Sequence, residues 1–507
     1  MAAESIVTPL DQYNTQLLDN VRPQHWRNPT PDGRYNLVVI GAGSAGLVTA
    51  AGAAGLGARV ALVERNLLGG DCLNVGCVPS KCLIRSGRAA ADTKRAGALG
   101  VRVDPEARRI DFAATMERLR AVRAGISSHD SAERFSGLGV DVFLGDGAFT
   151  SRSTLEVGGA TLEFKKAVIA TGTRPLIPKV EGLQEAGYLT NETIFNLTEQ
   201  PRSLAVIGAG PIGCELAQAM ARLGTRVTVF QRSGSILSRE DSEASAVVGE
   251  VFGREGIKLV TGCQVEKVAT TGSGKVVHYG CGGKHGSVEV EEILVASGRV
   301  PNVEGMGLDV AGVEYDTFRG VHVDDTLRTT NGNIYAAGDI CLEHKFTHAA
   351  DASARLVIRN ALFLGRGKVS GLVIPRCTYT DPEVASVGLS RADAENRGIE
   401  LDSFTRQLAD VDRAKADGDT DGYVTVHVRK GTDKIVGGTV VASHAGEMIG
   451  ELTLAMSRKI GLGSLAGVIH PYPTQAEAIK QTSDAYYRTR FTPLVARLFK
   501  RWLAWTR

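Results

Sequence analysis

Tyr35-Asn-Leu-Val-Val-Ile-Gly41-Ala-Gly43-Ser-Ala-Gly46 is the stretch that decides the fold. Its apolar half reads as a buried strand and its glycine half as a tight turn. Leu47 to Leu56 follows as a run of small helix-forming residues. Arg59-Val-Ala-Leu-Val63 is a second strand, and it ends at Glu64. Strand, Gly-x-Gly-x-x-Gly turn, helix, strand and terminal acid make a dinucleotide-binding βαβ unit. Gly41, Gly43 and Gly46 let the backbone approach a pyrophosphate at the helix N-terminus. Glu64 stands where a carboxylate accepts hydrogen bonds from ribose hydroxyls.

The same order returns farther along. Ser203-Leu-Ala-Val-Ile207 leads into Gly208-Ala-Gly210-Pro-Ile-Gly213, a helix from Cys214 to Leu223, and a strand Arg226-Val-Thr-Val-Phe230. A duplicated dinucleotide fold implies two nucleotides, most simply FAD and a nicotinamide. The second unit ends in Gln231-Arg232 instead of an acid. Without the acid, and with Arg232 at hand for a 2′-phosphate, NADPH is expected, with NADH as the alternative favoured by Gly213. Each unit has a return strand: Ala167 to Pro175, with Thr171 and Gly172, and Glu291 to Pro301, with Gly298. A strand through Ala336 ends at Gly338-Asp339, at the strand edge where ligands of open α/β sheets sit. Asp339 is expected to meet the ribityl hydroxyls.

Directly after the first unit comes Gly69-Gly-Asp-Cys-Leu-Asn-Val-Gly-Cys-Val-Pro-Ser-Lys81. Cys72 and Cys77 beside a nucleotide fold suggest a dithiol that exchanges an electron pair with a flavin. The alternatives are two core thiols or half a zinc site, but no second tight Cys or His pair follows with ribbon or finger spacing. Pro79 suits the start of a helix, which places Cys77 just before the helix N-terminus, where a thiolate is favoured. Cys82, inside that helix, reads as a core thiol.

The remainder sets limits. The 507 residues suffice for several domains, and 43% hydrophobic with 22% charged residues is ordinary for a globular protein. A net charge of +2 gives no case for nucleic acid. Eight cysteines in so long a chain are no disulfide scaffold. Met1-Ala-Ala-Glu-Ser5 lacks a basic region followed by an apolar one, and no apolar run is long enough to span a bilayer, so a cytoplasmic protein is expected. Leu10, Tyr13, Leu17 and Leu18 suggest a short helix in a leader that is either a docking arm or unstructured. Cys341, His344 and His348 lie close in sequence, but no carboxylate set accompanies them, and capping or flavin-edge contacts are expected before a metal. Residues 371–485 alternate strands with helices and carry no nucleotide fingerprint, as in a separate α+β domain. The tail holds Arg488, Arg490, Arg497, Lys500, Arg501 and Arg507 with Phe491, Phe499, Trp502 and Trp505. It reads either as an interfacial membrane helix or as a helix packed on the body or on a second subunit. The short apolar stripe favours packing.

Residues 35–485 as a whole resemble the FAD-dependent pyridine nucleotide–disulfide oxidoreductases, which include lipoamide dehydrogenase, glutathione reductase and mercuric reductase. The resemblance rests above all on Gly69 to Lys81. It implies an α/β fold with two Rossmann-like domains and a C-terminal dimerisation domain. The expected layout is an extension 1–34, an FAD domain 35–185, an NAD(P) domain 186–300, a second FAD segment 301–370, an interface domain 371–485 and a tail 486–507. It implies Cys77 against the flavin as the charge-transfer thiolate, Cys72 as the interchange thiol, and Lys81 near the flavin paired with Glu215. Gly70 and Asp71 join the cofactor-binding set. It also implies a homodimer, with part of each active site supplied by the partner.

One departure stands out. The family's disulfide-reducing branches carry His-Pro-Thr-x-x-Glu for acid–base work, and here the run is Tyr472-Pro-Thr-Gln-Ala-Glu477, with His470 displaced by two residues. A phenol with a pKa of about 10 is a poor substitute for imidazole at neutral pH. Reducing a thiolate-bound Hg(II) ion asks for soft sulfur ligands such as Cys72 and Cys77 and for no comparable leaving-group proton. Tyrosine here resembles the mercuric reductase branch, as do Glu215 to Gly224 and Tyr379 to Val384. That branch usually carries a vicinal cysteine pair near its C-terminus, whereas the last cysteine here is Cys377. The expectation is a flavoenzyme oxidising NAD(P)H, with Hg(II) as the transient metal substrate. A dihydrolipoamide-dehydrogenase-like enzyme using His470 and a membrane-associated quinone-reducing diaphorase are the alternatives.

Overall fold

Strand β1 (Tyr35–Ile40), helix α1 (Ser44–Gly55) and strand β2 (Val60–Glu64) form as the sequence pattern requires in the computed structural model, which describes residues 7–104, 109–272 and 274–507. The leader reading of Met1 to Ser5 lies outside the described residues. β1 is flanked by parallel partners, with Val38 opposite Ala61 on one side and Ala167 on the other. Val140–Leu144 extends the sheet beyond β2, and Ile334–Ala336 pairs with the strand Ala160–Ile169. Tyr35, Phe143, Phe149, Phe164 and Ile334 belong to one buried cluster under this sheet. Each such side chain contributes about 1.5–3 kcal/mol. In register, Ile40 and Ala336 both face Ile169. Gly41, Thr171-Gly172 and Gly338-Asp339 therefore emerge at one sheet edge.

The second unit repeats the plan. Lys258–Thr261, Arg226–Gln231, Ser203–Ile207 and Glu292–Val295 make a four-stranded parallel sheet, in that order. Its helix, Pro211–Arg222, starts three residues earlier than the pattern suggested, because Pro211 occupies the first turn. The two return motifs meet: Thr173–Pro175 pairs antiparallel with Arg299–Pro301.

A disulfide, Cys263–Cys281, was not anticipated. Gln264 pairs with Gly280 and Val265 with Tyr279 in an antiparallel hairpin. That register sets the two flanking cysteines opposite each other.

The chain divides into two compact units. The first holds residues 1–234 and 255–372, and so both nucleotide folds. The second combines 235–254 with 373–507. It contains a five-stranded antiparallel sheet in the order Pro375–Thr378, Glu383–Gly388, Ile435–Ala442, Tyr423–Arg429, Leu401–Gln407. Residues 235–254 join it through partly buried polar bonds: Arg376 and Ser386 each donate to Glu240 at 2.8 Å, and Thr439 donates to Asp241 at 2.7 Å.

The leader helix runs over Gln12–Val21, N-capped by Asp11, with Leu17 and Val21 buried. It packs against the helix Phe112–Ser127. Arg120 pairs with Asp11 at 2.5 Å, and the fully buried Arg123 donates to Asn14 at 2.7 Å and to the carbonyl of Asn74 at 2.6 Å. Burial holds the Arg123 pKa down to about 10. Arg123 thus links the leader to the end of the cysteine segment. Arg123→Met is expected to destabilise the protein by about 2–4 kcal/mol, since it strands two buried acceptors. Thermal unfolding of the purified variant measures it.

Candidate active site

The cysteine segment sits directly on the first glycine turn. Gly69 donates its N–H to the carbonyl of Ala42 at 2.8 Å. A Cβ on Gly70 would lie 2.6 Å from the Gly43 Cα, so only glycine permits this approach. Helix α2 (Gly70–Asn74) carries Cys72, and helix α3 (Cys77–Arg95) begins at Cys77 itself, two positions earlier than the proline suggested.

Cys72 and Cys77 are both free thiols, the first half-buried and the second exposed. The Cys77 Sγ lies 3.3 Å from the Thr347 Oγ1. A hydrogen bond from the Cys72 thiol brings the Cys77 pKa down to about 6, and Thr347 and the charge of Lys81 act in the same direction. The dipole of α3, whose N-cap Gly76 offers no competing side chain, adds to this. Donating that bond, together with burial, pushes the Cys72 thiol far up. The pair is therefore one thiolate beside one thiol at neutral pH. Cys82 is buried, and burial raises its thiol.

Lys81 lies one turn after Cys77 and reaches across to Glu215, Nζ to Oε2 at 2.9 Å. Glu215 stands on the helix after the second glycine turn and is almost wholly buried. The close packing that permits this reach shows at Gly87, where a Cβ would stand 3.2 Å from the Ala219 Cα. For the reduced protein, the rate of Cys77 alkylation by iodoacetamide should rise through a midpoint near pH 6. Lys81→Met and Thr347→Val each remove a group that stabilises the thiolate, so each should move that midpoint upward, by up to about one pH unit.

The glycine turns are matched in detail. Glu64 is buried and accepts the N–H groups of Ala42 at 2.6 Å and Asn66 at 2.7 Å, and burial raises its pKa. Gln231 takes the same place in the second unit, accepting the N–H of Ala209 at 3.0 Å. The following Arg232 is exposed. No side chain caps the helix behind either turn, where Gly43 and Gly210 are the N-cap residues. Both turns thus present an open helix N-terminus with no Cβ in the way, which fits the pyrophosphates of a flavin and a nicotinamide dinucleotide.

Several residues that motif reading passed over hold the site together. The Arg299 guanidinium pairs with Asp71 and donates to the Thr173 hydroxyl at 2.6 Å and its carbonyl at 2.9 Å. Asn191 bonds the Val75 carbonyl at 3.1 Å. Thr171 and Asn302 exchange hydrogen bonds at 2.9 Å, and Asn302 donates its N–H to Gly172 at 3.0 Å. Gly298 accepts from Leu176 at 3.0 Å. Asp339 has its carboxyl raised by burial, opposed by the charges of Arg299 and Lys345, and accepts from Thr173 at 3.4 Å. Gly338 packs tightly on Ala45 and Ala350, a Cβ there falling 3.0 and 3.4 Å from theirs. Thr347 carried no motif signal, and Arg299 showed only as part of the Gly298-Arg-Val-Pro301 return run.

Cys341 is half-buried, desolvation pushes its thiol up to about 12, and it donates to the Gly338 carbonyl at 3.6 Å. The rings of His344 and His348 flank that of Phe346, with centroids 6.4 and 5.3 Å away. Among the described residues no three His, Cys, Asp or Glu side chains gather as a metal-binding group.

In the C-terminal unit, Tyr472 is exposed and its hydroxyl donates to Asp412 at 3.2 Å, which raises its pKa. His470 turns inward instead and bonds Glu451, Nε2 to Oε2 at 2.9 Å. Glu477 opens the helix Glu477–Arg490.

Two dinucleotide folds sharing a glycine-seated dithiol define a nucleotide-dependent redox protein. The comparisons give the family. The pyridine nucleotide-disulphide oxidoreductase profile matches residues 35–355, and that family's dimerisation domain matches 374–483. The chain belongs to this family, whose members use FAD and NAD(P)H. It is 34% identical over 453 residues to a mercuric reductase of Staphylococcus aureus, spanning 89% of this chain and 82% of that one. To a dihydrolipoyl dehydrogenase of Geobacillus stearothermophilus it is 32% identical over 456 residues, 88% and 95% of the two chains. Among solved structures, LpdA from Mycobacterium tuberculosis superposes with a TM-score of 0.81 at 27% identity, covering 89% of this chain and 99% of that one. The HOCl-induced flavoprotein disulfide reductase RclA of Escherichia coli superposes with a TM-score of 0.79 at 26% identity, covering 88% and 99%. No helix among the described residues is long and apolar enough to cross a membrane.

Proposed function

We propose that this flavin-dependent oxidoreductase reduces thiolate-bound Hg(II), working as a homodimer with NADPH as its preferred reductant. The observation that carries the reading is Tyr472. It stands at the family's histidine position, and its phenol is made a weaker acid by its bond to Asp412. Such a group does not protonate a departing thiolate of ordinary pKa, about 8.5. Two soft sulfur ligands at Cys72 and Cys77 need no such donor to hold Hg(II).

The balance is NADPH, a proton and a mercury dithiolate giving NADP⁺, elemental mercury and two thiols. Two electrons leave the nicotinamide, two arrive at mercury, and both Hg–S bonds break. Bound FAD supplies two-electron exchange between the nicotinamide and the dithiol. Gly41, Gly43, Gly46, Glu64, Gly70, Asp71, Thr171, Gly172, Gly338 and Asp339 are the residues to hold FAD. Gly208, Gly210, Gly213, Arg232 and Gly298 are those to hold NADPH. Cys77, kept as thiolate by the Cys72 thiol, Thr347 and Lys81, is the charge-transfer thiolate beside the flavin, and Cys72 is the interchange thiol that meets the metal. Glu215 fixes the ammonium of Lys81 beside it. At the second nucleotide, neutral Gln231 does the capping that Glu64 does at the first. It brings no negative charge against a 2′-phosphate, which supports NADPH.

The second reading, reduction of a lipoyl or other small disulfide, draws on the dihydrolipoyl dehydrogenase likeness and on the His470–Glu451 pair. Anaerobic NADPH oxidation separates the two. With Hg(II) in excess small thiol, lipoamide and glutathione disulfide assayed in parallel, fast turnover is expected with Hg(II) alone. Turnover with a disulfide alone would overturn the proposal. Tyr472→His should raise disulfide turnover by roughly 10²-fold or more, the usual contribution of a positioned acid.

A further inference from the structure

The helix Pro493–Trp505 is capped by Thr492 and has no buried residue. Only Val495 and Ala496 are half-buried, and the rest of the helix is exposed on this chain. At about 100° per residue its side chains sort cleanly. Leu494, Trp505, Leu498, Trp502, Val495, Phe499 and Leu503 share one arc, about 180° wide. Arg497, Arg501 and Lys500 share the other, with Arg507 just past the helix end. The stripe is thus broad, and Trp502 and Trp505 on it are 59% and 77% exposed. Residues 485–507 contain six cationic side chains and no acidic one.

We propose that this helix docks the enzyme on an anionic membrane surface, lying in the plane of the interface. The face is apolar enough to enter the headgroup region, and the opposite face carries only positive charge, which complements anionic lipid. Tryptophans suit that depth because each has an apolar body and a polar N–H. A seam between copies typically carries charges of both signs along its flanks, whereas this helix has only cations, Arg497, Lys500 and Arg501, beside its apolar face. At 13 residues the helix lies on a bilayer and does not cross it.

The test uses the full-length flavoprotein and vesicles of phosphatidylcholine alone or mixed equally with phosphatidylglycerol. Co-flotation should be at least about tenfold stronger with the anionic vesicles and should fall as salt rises. Tryptophan emission should shift to shorter wavelength on binding, since two of the three tryptophans lie in the helix. Leu498→Glu with Trp502→Glu should abolish flotation. Lys500→Glu with Arg501→Glu should remove the preference for anionic lipid. Flavin content and turnover of soluble acceptors should stay unchanged in both. Absence of any preference for anionic vesicles would overturn the proposal. So would a change of oligomeric mass in the Leu498/Trp502 variant without loss of lipid binding, which would give the face to a second copy.

Discussion

Cys72→Ser should lower turnover of Hg(II) by at least about a thousandfold while flavin content and NADPH-driven flavin reduction are retained. Sulfur ligation, the electron-carrying dithiol and exchange with small thiols all need both sulfurs, and serine supplies none of these. Serine keeps a hydroxyl where the Cys72 thiol donates to Cys77, so the Cys77 thiolate should persist in the variant. Cys72→Ala lacks that donor, and there the Cys77 titration midpoint should rise. Comparing the two variants separates loss of the second sulfur from loss of the hydrogen bond. Anaerobic stopped-flow with NADPH, Hg(II) in excess thiol, lipoamide and a quinone reads all the outcomes. A Cys72→Ser protein that still reduces its best acceptor at the parental rate would remove the dithiol from the pathway. Electrons would then leave directly from the flavin, as in a diaphorase.

Much of this site was legible because its signals are local. The run from Tyr35 to Glu64 fixes strand, turn, helix and strand within a few residues of each other, and the run from Ser203 to Gln231 repeats it. The pairing of Lys81 with Glu215 came through family likeness, and the structure places the two groups in contact. What escaped depends on partners distant in sequence. Cys263 and Cys281 are joined only because a hairpin register sets them opposite, and no spacing rule reveals a register. Arg123 looks like one more cation on a basic helix, yet it is buried against Asn14 and Asn74, 109 and 49 residues away. Arg299 belongs to a visible Gly-Arg-Pro-like return motif, but its bonds to Asp71 and Thr173 follow from two return strands meeting. The inward turn of His470 toward Glu451 is likewise a matter of packing.

Gly46→Ala and Gly213→Ala should make opposite halves of the electron path fail. In each turn the third glycine faces the carbonyl oxygen of the first. A Cβ at 46 would lie 1.8 Å from the Gly41 oxygen, and one at 213 would lie 2.0 Å from the Gly208 oxygen. Neither oxygen can move alone, because Gly41 and Gly208 hold φ of +97° and +109°, values that L side chains rarely adopt. The helix must therefore back away from the turn, and the N–H groups meant for a pyrophosphate move with it. Such overpacking typically costs about 1–3 kcal/mol and falls on binding as much as on folding. Gly46→Ala should be purified with a flavin-to-protein absorbance ratio far below that of the parent. Gly213→Ala should retain its flavin and still be bleached by dithionite. Its KM for NADPH should rise by about tenfold or more, in line with roughly 1.4 kcal/mol of lost binding. Because dithionite needs no nucleotide site, that pairing separates a damaged nicotinamide cradle from a damaged protein. Loss of flavin from Gly213→Ala with retention in Gly46→Ala would exchange the two assignments, and with them the side of the dithiol from which electrons arrive.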